Sequence, residues 1–208
     1  MEIDQNLVEL LRRAAGSGEV VTEEPMSRHT TFRIGGPADY FVTPHTKEEI
    51  RQVIQLCKAE SLPFAVLGNG SNLLVGDKGF RGVVIQLFKN FSDITIEEED
   101  IYAQSGALLV RLANQAAEQG LTGLEFASGI PGTLGGAVVM NAGAYGGEMK
   151  DVILWSDVLT EDGEFLRLSG EELELGYRTS VIQKKNYFVL GAALELKKGD
   201  PAVIRSVI

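Results

Sequence analysis

Cysteine is nearly missing from this sequence. The single thiol, Cys57, leaves no partner for an internal disulfide and too few sulfurs for a multi-cysteine metal cluster, which fits a reducing compartment. Histidine is almost as scarce: His29 and His45 stand apart from any metal-ligand partner in sequence and fall in expected loops, so neither receives a role and no metal site is expected. No run approaches the ~20 apolar residues of a membrane span. The start, Met1-Glu2-Ile3-Asp4-Gln5, is acidic where a secretory signal is basic and then apolar. A cytoplasmic protein with no membrane span is the expectation. Positive charge is also in short supply: 19 Lys and Arg stand against 29 Asp and Glu, a formal net charge of −10, with no basic cluster or basic aromatic platform. That speaks against a nucleic-acid partner, and it means that an anionic ligand needs local donors because the overall charge does not attract it.

With 44% hydrophobic and 23% charged residues over 208 positions, the chain can bury a sizeable core as one large domain or two small ones. Residues 3–15 place Ile3, Leu7, Leu10, Leu11 and Ala14 on one helical face and end at Gly16; a loop through Pro25 follows. A strand is expected at 38–43. Thr46-Lys47-Glu48-Glu49 then has the capping-box spacing and opens a helix. Ile50, Val53, Ile54 and Cys57 form its i, i+3, i+4, i+7 stripe, which reads as a buried thiol, with catalytic use as the lesser alternative. Residues 64–67 read as a buried strand, so this strand-helix-strand unit most simply forms a parallel pair. Short strands are expected at 73–75, 83–87, 94–97 and 101–104, a helix at 107–119 before Gly120, strands at 152–159 and 165–168 around the Asp162-Gly163 hairpin signal, and a last strand at 187–196. The class is α+β, two lobes with a boundary near Leu67: residues 1–67 with the N-terminal helix, and residues 68–208.

Two glycine-rich loops carry the chemistry. Gly68-Asn69-Gly70-Ser71-Asn72, with Leu73 after it, follows a buried strand; its glycines allow positive φ and a close main-chain approach to a ligand. Gly129-Ile130-Pro131-Gly132-Thr133-Leu134-Gly135-Gly136-Ala137 leads into the apolar Val138-Val139-Met140, and a helix starting near Thr133 would turn free N–H groups toward its loop. Neither loop holds a Lys or an Arg, so backbone dipoles would have to hold any phosphate. Each loop alone is equally readable as a tight turn; the pair suits a diphosphate. The three-glycine dinucleotide fingerprint and the phosphate loop ending in Gly-Lys-Ser/Thr are both missing.

Thr31-Phe32-Arg33-Ile34-Gly35-Gly36-Pro37-Ala38, the two glycine loops, Asn141-Ala142-Gly143-Ala144-Tyr145-Gly146 and Tyr177-Arg178-Thr179-Ser180, in this order, together resemble the UDP-N-acetylenolpyruvoylglucosamine reductase family. The resemblance implies the two-lobed FAD-binding fold of the vanillyl-alcohol oxidase type. It also implies bound FAD, NADPH as co-substrate, and hydride delivery to an enolpyruvyl UDP-sugar for peptidoglycan synthesis. Arg178 matches the family's active-site arginine, where a guanidinium can grip the substrate carboxylate through two hydrogen bonds. A surface or strand-end ion pair is its plainer alternative. Tyr177 lines flavin or substrate or belongs to the core, and Tyr145 lines the substrate cleft or is a turn aromatic. The family continues into a substrate-binding domain with a serine acid and a late glutamate. These have no match before Ile208, Ser180 and Ser206 do not stand in for them, and the expectation is a truncated chain with negligible turnover. Another FAD-dependent oxidoreductase of the same superfamily and a non-catalytic nucleotide-binding module are the rival readings.

Overall fold

An aspartate opens the first helix. In the computed structural model, which describes residues 3–208, the Asp4 side chain accepts from the N–H groups of Asn6 and Leu7 to cap α1 (Gln5–Ala15), and Gly16, at φ 58°, ends it. The acidic Met1-Glu2 start lies outside the described residues. The stretch up to Pro25, expected as a loop, is instead a strand, β1 (Glu19–Pro25), antiparallel to β2 (Pro37–Thr43). Its half-buried positions are Val20, Thr22, Glu24 and Pro25, so the inward face mixes polar and apolar residues and gives no hydrophobic alternation to read.

The capping box at Thr46 and Glu49 forms as expected and starts α2 (Lys47–Ala59), which buries Ile50, Val53, Ile54 and Cys57. Next come β3 (Phe64–Leu67) and β4 (Phe80–Gln86), and the sheet order is β1-β2-β4-β3. β2 and β3 therefore run parallel but do not pair directly. β4 inserts between them and is parallel to both, because its run Val83, Val84, Ile85 is buried and takes a strand on either side. The expected strand at 73–75 is irregular chain, with Leu73 and Val75 packed on the core of Met26, Ala38, Phe41 and Val84 while Leu74 is exposed.

Pairing of β4 also moves the division of the chain. The two compact units are residues 1–91 and 92–208, not a split near Leu67. Leu87 N–H donates to the Leu67 carbonyl, and the Asn90 side chain donates to Pro44 and Gln86, so residues 68–91 are laced into the first unit.

The second unit is built on an antiparallel five-stranded sheet. Its elements are β5 (Ile94–Glu97), β6 (Asp100–Gln104), α3 (Leu109–Glu118), β7 (Leu121–Thr122), α4 (Leu134–Met140), β8 (Gly143–Ala144), β9 (Gly147–Glu148), β10 (Ile153–Leu159), β11 (Phe165–Ser169), α5 (Val181–Lys185), β12 (Phe188–Glu195), β13 (Lys197–Lys198) and α6 (Pro201–Val207). The sheet runs β11-β10-β12-β6-β5, and one core joins Ile101, Val158, Ala192 and Leu194 of its strands to Leu109 and Leu112 of α3 and Leu134 and Val138 of α4. The Asp162-Gly163 signal does make the β10–β11 hairpin, with Gly163 at φ 86°. Helix α6 was not anticipated, although Asp200 as cap and Pro201 as first residue spell its start.

Burial sets the alkaline limit of both units. Burial pushes the Cys57 thiol up from its ordinary 9.0 to about 12, and in the second unit burial, then the Asp157 carboxylate, pushes the Tyr102 phenol from 10.0 to about 12. Both groups stay protonated in the folded protein where the unfolded chain has begun to lose the proton. Their contribution to stability is therefore complete below pH 9.0 and is lost as pH rises toward 12. Urea midpoints should fall steadily over that range, and Cys57 should resist thiol reagents at neutral pH until the chain is denatured. Rapid labelling of the native thiol would contradict the burial.

Candidate functional site

The first glycine loop connects β3 to β4 inside the first unit. Two of its carbonyls are turned to the protein: Gln86 Nε2 donates to the Gly68 oxygen at 3.0 Å, and Thr31 donates to the Gly70 oxygen from its N–H at 3.2 Å and its Oγ1 at 3.4 Å. Among the described residues, the N–H groups of Gly70, Ser71 and Asn72 make no backbone hydrogen bond. Carbonyls directed inward with donors left over is the polarity that an anion requires. Gly70 sits at φ +69°, and a Cβ there would lie 2.0 Å from the His29 carbonyl oxygen, so the fold itself demands glycine at this position. The Thr31–Ala38 stretch braces the loop: besides the Thr31 bonds, Gly36 N–H donates to the Gly76 oxygen at 3.0 Å, while Met26 and Ser27 donate to Gly36 and Gly35.

The second tract lies in the second unit, and Thr133 does precede a helix, α4. The expectation of free first-turn donors needs correcting. An antiparallel bridge between Leu108 and Thr133 draws the start of α4 against residues 105–109, so Leu134 N–H donates to Ala107 and Gly135 N–H to Ser105, both at 2.8 Å. Ala137 N–H bonds to Thr133, and Gly132 N–H to Ile130. Among the described residues, the N–H groups of Gly129, Thr133 and Gly136 make no backbone hydrogen bond.

The glycines of this tract divide by what surrounds them. A Cβ on Gly135 would come within 2.8 Å of Ser105 Cβ, which makes it a packing glycine. A Cβ on Gly136 would meet nothing nearer than Thr133 Oγ1 at 3.8 Å, and one on Gly129 nothing nearer than Tyr145 Cε2 at 3.9 Å. Both are exposed, as is Pro131, whereas Thr133 and Ala137 are buried. Packing within the unit therefore gives no reason for glycine at 129 or 136.

Tyr177 and Arg178 form the tip of a tight turn closed by reciprocal backbone bonds, Gly176 N–H to Thr179 O at 3.1 Å and Thr179 N–H to Gly176 O at 3.3 Å. Tyr177 is 91% exposed, so it is not a core residue. Arg178 is exposed at φ 54° and makes no ion pair among the described residues. Tyr145 is 97% exposed at φ 52° in the turn between β8 and β9, beside Gly129. Two residues that carried no site role at the sequence level hold this region together. Asn141, left-handed at the end of α4, bonds to Glu148, Lys150 and Gly176, and the buried Ser180 donates to the Val139 carbonyl at 2.7 Å. The Lys150 ammonium, hydrogen-bonded to Glu148, holds that carboxyl below the ordinary carboxylate range and so keeps it an acceptor for Asn141. An asparagine directly after an apolar helical run is a helix-stop signal that could have flagged Asn141. A separate cavity of about 390 Å³, lined by Thr160, Asp162, Lys185 and Tyr187 among others, contains none of the residues above.

Taken separately, each unit carries a loop with unclaimed amides of the kind that accepts a phosphate oxygen, and exposed glycines keep the second loop open to a ligand. The FAD binding domain pattern matches residues 38–169. The chain is 53% identical to the UDP-N-acetylenolpyruvoylglucosamine reductase of Alkaliphilus metalliredigens over 204 residues, covering 98% of this chain and 67% of that protein. It is similar to the crystal structure of UDP-N-acetylenolpyruvylglucosamine reductase from Thermus caldophilus at 38% identity and TM-score 0.76, covering 91% of this chain and 66% of that one. To 6-hydroxy-D-nicotine oxidase from Arthrobacter nicotinovorans it is 18% identical with TM-score 0.67 over 88% of this chain and 42% of that one, a likeness of fold alone. The chain thus spans about two thirds of the length of the reductases it matches and has the FAD-binding fold of the vanillyl-alcohol oxidase type. Two loops that offer amides rather than cations, a matching FAD pattern and identity over nearly its whole length lead to one assignment: the chain belongs to the UDP-N-acetylenolpyruvoylglucosamine reductase family and carries its FAD binding domain.

Proposed function

We propose that this chain holds the FAD of an NADPH-dependent cytoplasmic reductase that converts UDP-N-acetylglucosamine enolpyruvate to UDP-N-acetylmuramate for peptidoglycan synthesis. No helix among the described residues is long and apolar enough to cross a membrane. The observation that carries the cofactor reading is the pair of exposed glycines, Gly129 and Gly136, whose N–H groups lack backbone partners and whose side-chain space is empty. In the first unit, loop residues Gly68 to Leu73 offer the amides of Gly70, Ser71 and Asn72 to a phosphate of the cofactor. In a chain of net charge −10, main-chain donors neutralise the ligand without lysine or arginine, as they do in other backbone anion sites.

When bound and reduced by NADPH, the flavin would supply the hydride for the substrate alkene, and a proton would complete the reduction at the carbon that bears the carboxylate. The protein's own part is to hold the substrate carboxylate while charge develops on the carbon next to it. Arg178 is suited to this because its guanidinium is exposed, remains charged and is not engaged by a carboxylate of the described residues. Tyr177 and Tyr145, both almost fully exposed, supply aromatic faces to the sugar nucleotide.

Titrating FAD into the cofactor-stripped protein tests the cofactor reading. The expected result is uptake of one FAD per chain, with flavin bands in the visible spectrum and quenched flavin fluorescence. A colourless protein that takes up no added FAD would overturn it.

A further inference from the structure

Asn141 is 4% exposed, and both hydrogens and the oxygen of its side-chain amide have partners. Nδ2 donates to Glu148 Oε2 at 2.6 Å and to the Gly176 carbonyl at 3.1 Å, and Oδ1 accepts from Lys150 N–H at 2.9 Å. Its backbone is left-handed, φ 42°, where α4 stops. Two residues earlier, the Val139 carbonyl accepts from Ser180 Oγ at 2.7 Å and from Gln183 Nε2 at 3.1 Å. The end of α4 therefore grips the chain on both sides of Tyr177-Arg178, at Gly176 before them and at Ser180 after them. The Gly176–Thr179 pair closes the short loop left over. A buried amide whose hydrogens and oxygen are all partnered favours one arrangement, and a loop clamped by it inherits that arrangement. The other end of the same short helix is Gly135-Gly136 of the cofactor tract.

We propose that Asn141, assisted by Ser180, is a positioning residue for Arg178, using α4 as a strut that sets the guanidinium at a fixed place relative to the second cofactor loop. This rests on the reading of Arg178 as the carboxylate-binding group. A small displacement of a catalytic contact is enough to slow a reaction: a misplacement of ~1 Å can lower the rate by on the order of 100-fold.

A double-mutant cycle in an FAD-loaded polypeptide of the relatives' full length tests the proposal. Asn141→Gly keeps the left-handed backbone and deletes only the side-chain bonds. It should lower kcat/KM for the enolpyruvyl UDP-sugar by about tenfold or more while leaving FAD affinity and the flavin spectrum unchanged. In an Arg178→Ala background the same substitution should add almost nothing, because the group it positions is gone. Additive losses in the cycle, or a parallel loss of FAD affinity, would overturn the proposal and make Asn141 an ordinary fold residue. Should Asn141→Gly not fold, Ser180→Ala removes the second anchor alone. It is read in the same cycle with a smaller expected loss, and additivity there overturns the proposal equally. If Arg178→Ala is silent, the Arg178 reading falls and this inference falls with it. If Arg178→Ala is damaging while Asn141→Gly and Ser180→Ala are silent, the positioning role alone is rejected.

Discussion

Replacing Arg178 with alanine is expected to lower kcat/KM for the enolpyruvyl UDP-sugar by about 100- to 1000-fold, the scale on which removing one preorganised charge-stabilising donor acts. The measurement belongs in an FAD-loaded polypeptide of the relatives' full length, with FAD affinity followed in parallel. FAD affinity should not change, since Arg178 is on the tip of the Gly176–Thr179 turn and makes no ion pair among the described residues. Thermal stability should drop little, because the arginine already occupies a left-handed backbone at φ 54° that alanine tolerates about as well. Arg178→Lys is the sharper variant. It keeps the charge and loses the planar fork, so a lasting defect would show that two-point recognition of the carboxylate matters and not charge alone. Activity of Arg178→Ala within a few-fold of the parent would remove Arg178 from the mechanism.

The adjacent glycines of α4 should respond to alanine with opposite signatures. At Gly136, in the first turn of α4, the protein leaves the Cβ space empty to 3.8 Å, and alanine is favoured over glycine in a helix by up to about 1 kcal/mol. Gly136→Ala is therefore expected to hold or raise the melting temperature. FAD affinity should fall by about 10- to 100-fold, a loss of roughly 1.4–2.8 kcal/mol, because in the proposed site the added methyl group would stand where the cofactor approaches. At Gly135 the added Cβ would press on Ser105 Cβ at 2.8 Å, and overpacking of this kind costs about 1–3 kcal/mol. Gly135→Ala should lower the melting temperature of the cofactor-free protein. Calorimetry with and without FAD separates the two cases. A Gly136→Ala protein that binds FAD normally would reassign that glycine to helix geometry and take the second loop out of the cofactor site.

Much of this architecture was legible from residue patterns. The Thr46–Glu49 capping box, the α2 stripe ending at buried Cys57, the helix before Gly120 and the Asp162-Gly163 hairpin are local signals whose causes lie within a few turns of chain. Features that depend on distant partners were misread. β1 has a mixed inward face and is held by its ladder to β2, and the apolar residues 73–75 have no ladder and stay irregular. The order β1-β2-β4-β3 follows from β4 being buried on both sides, a property that no strand shows in isolation. That insertion also draws the first glycine loop into the unit of residues 1–91.

The site divides in the same way. The two glycine loops, their lack of cations and the Tyr177-Arg178 pair stand in the sequence, because close backbone approach and two-point carboxylate recognition each require particular residue types. Tertiary structure decided which amides are unclaimed: Leu134 and Gly135 donate to residues 105–107, far away in sequence, while Gly136 does not. It also decided that Asn141 and Ser180 tie α4 to the arginine turn from 35 and 41 residues away. A residue's type sets which bonds it is able to make, and only the packed chain determines which partners come within the three ångströms or so that a hydrogen bond spans.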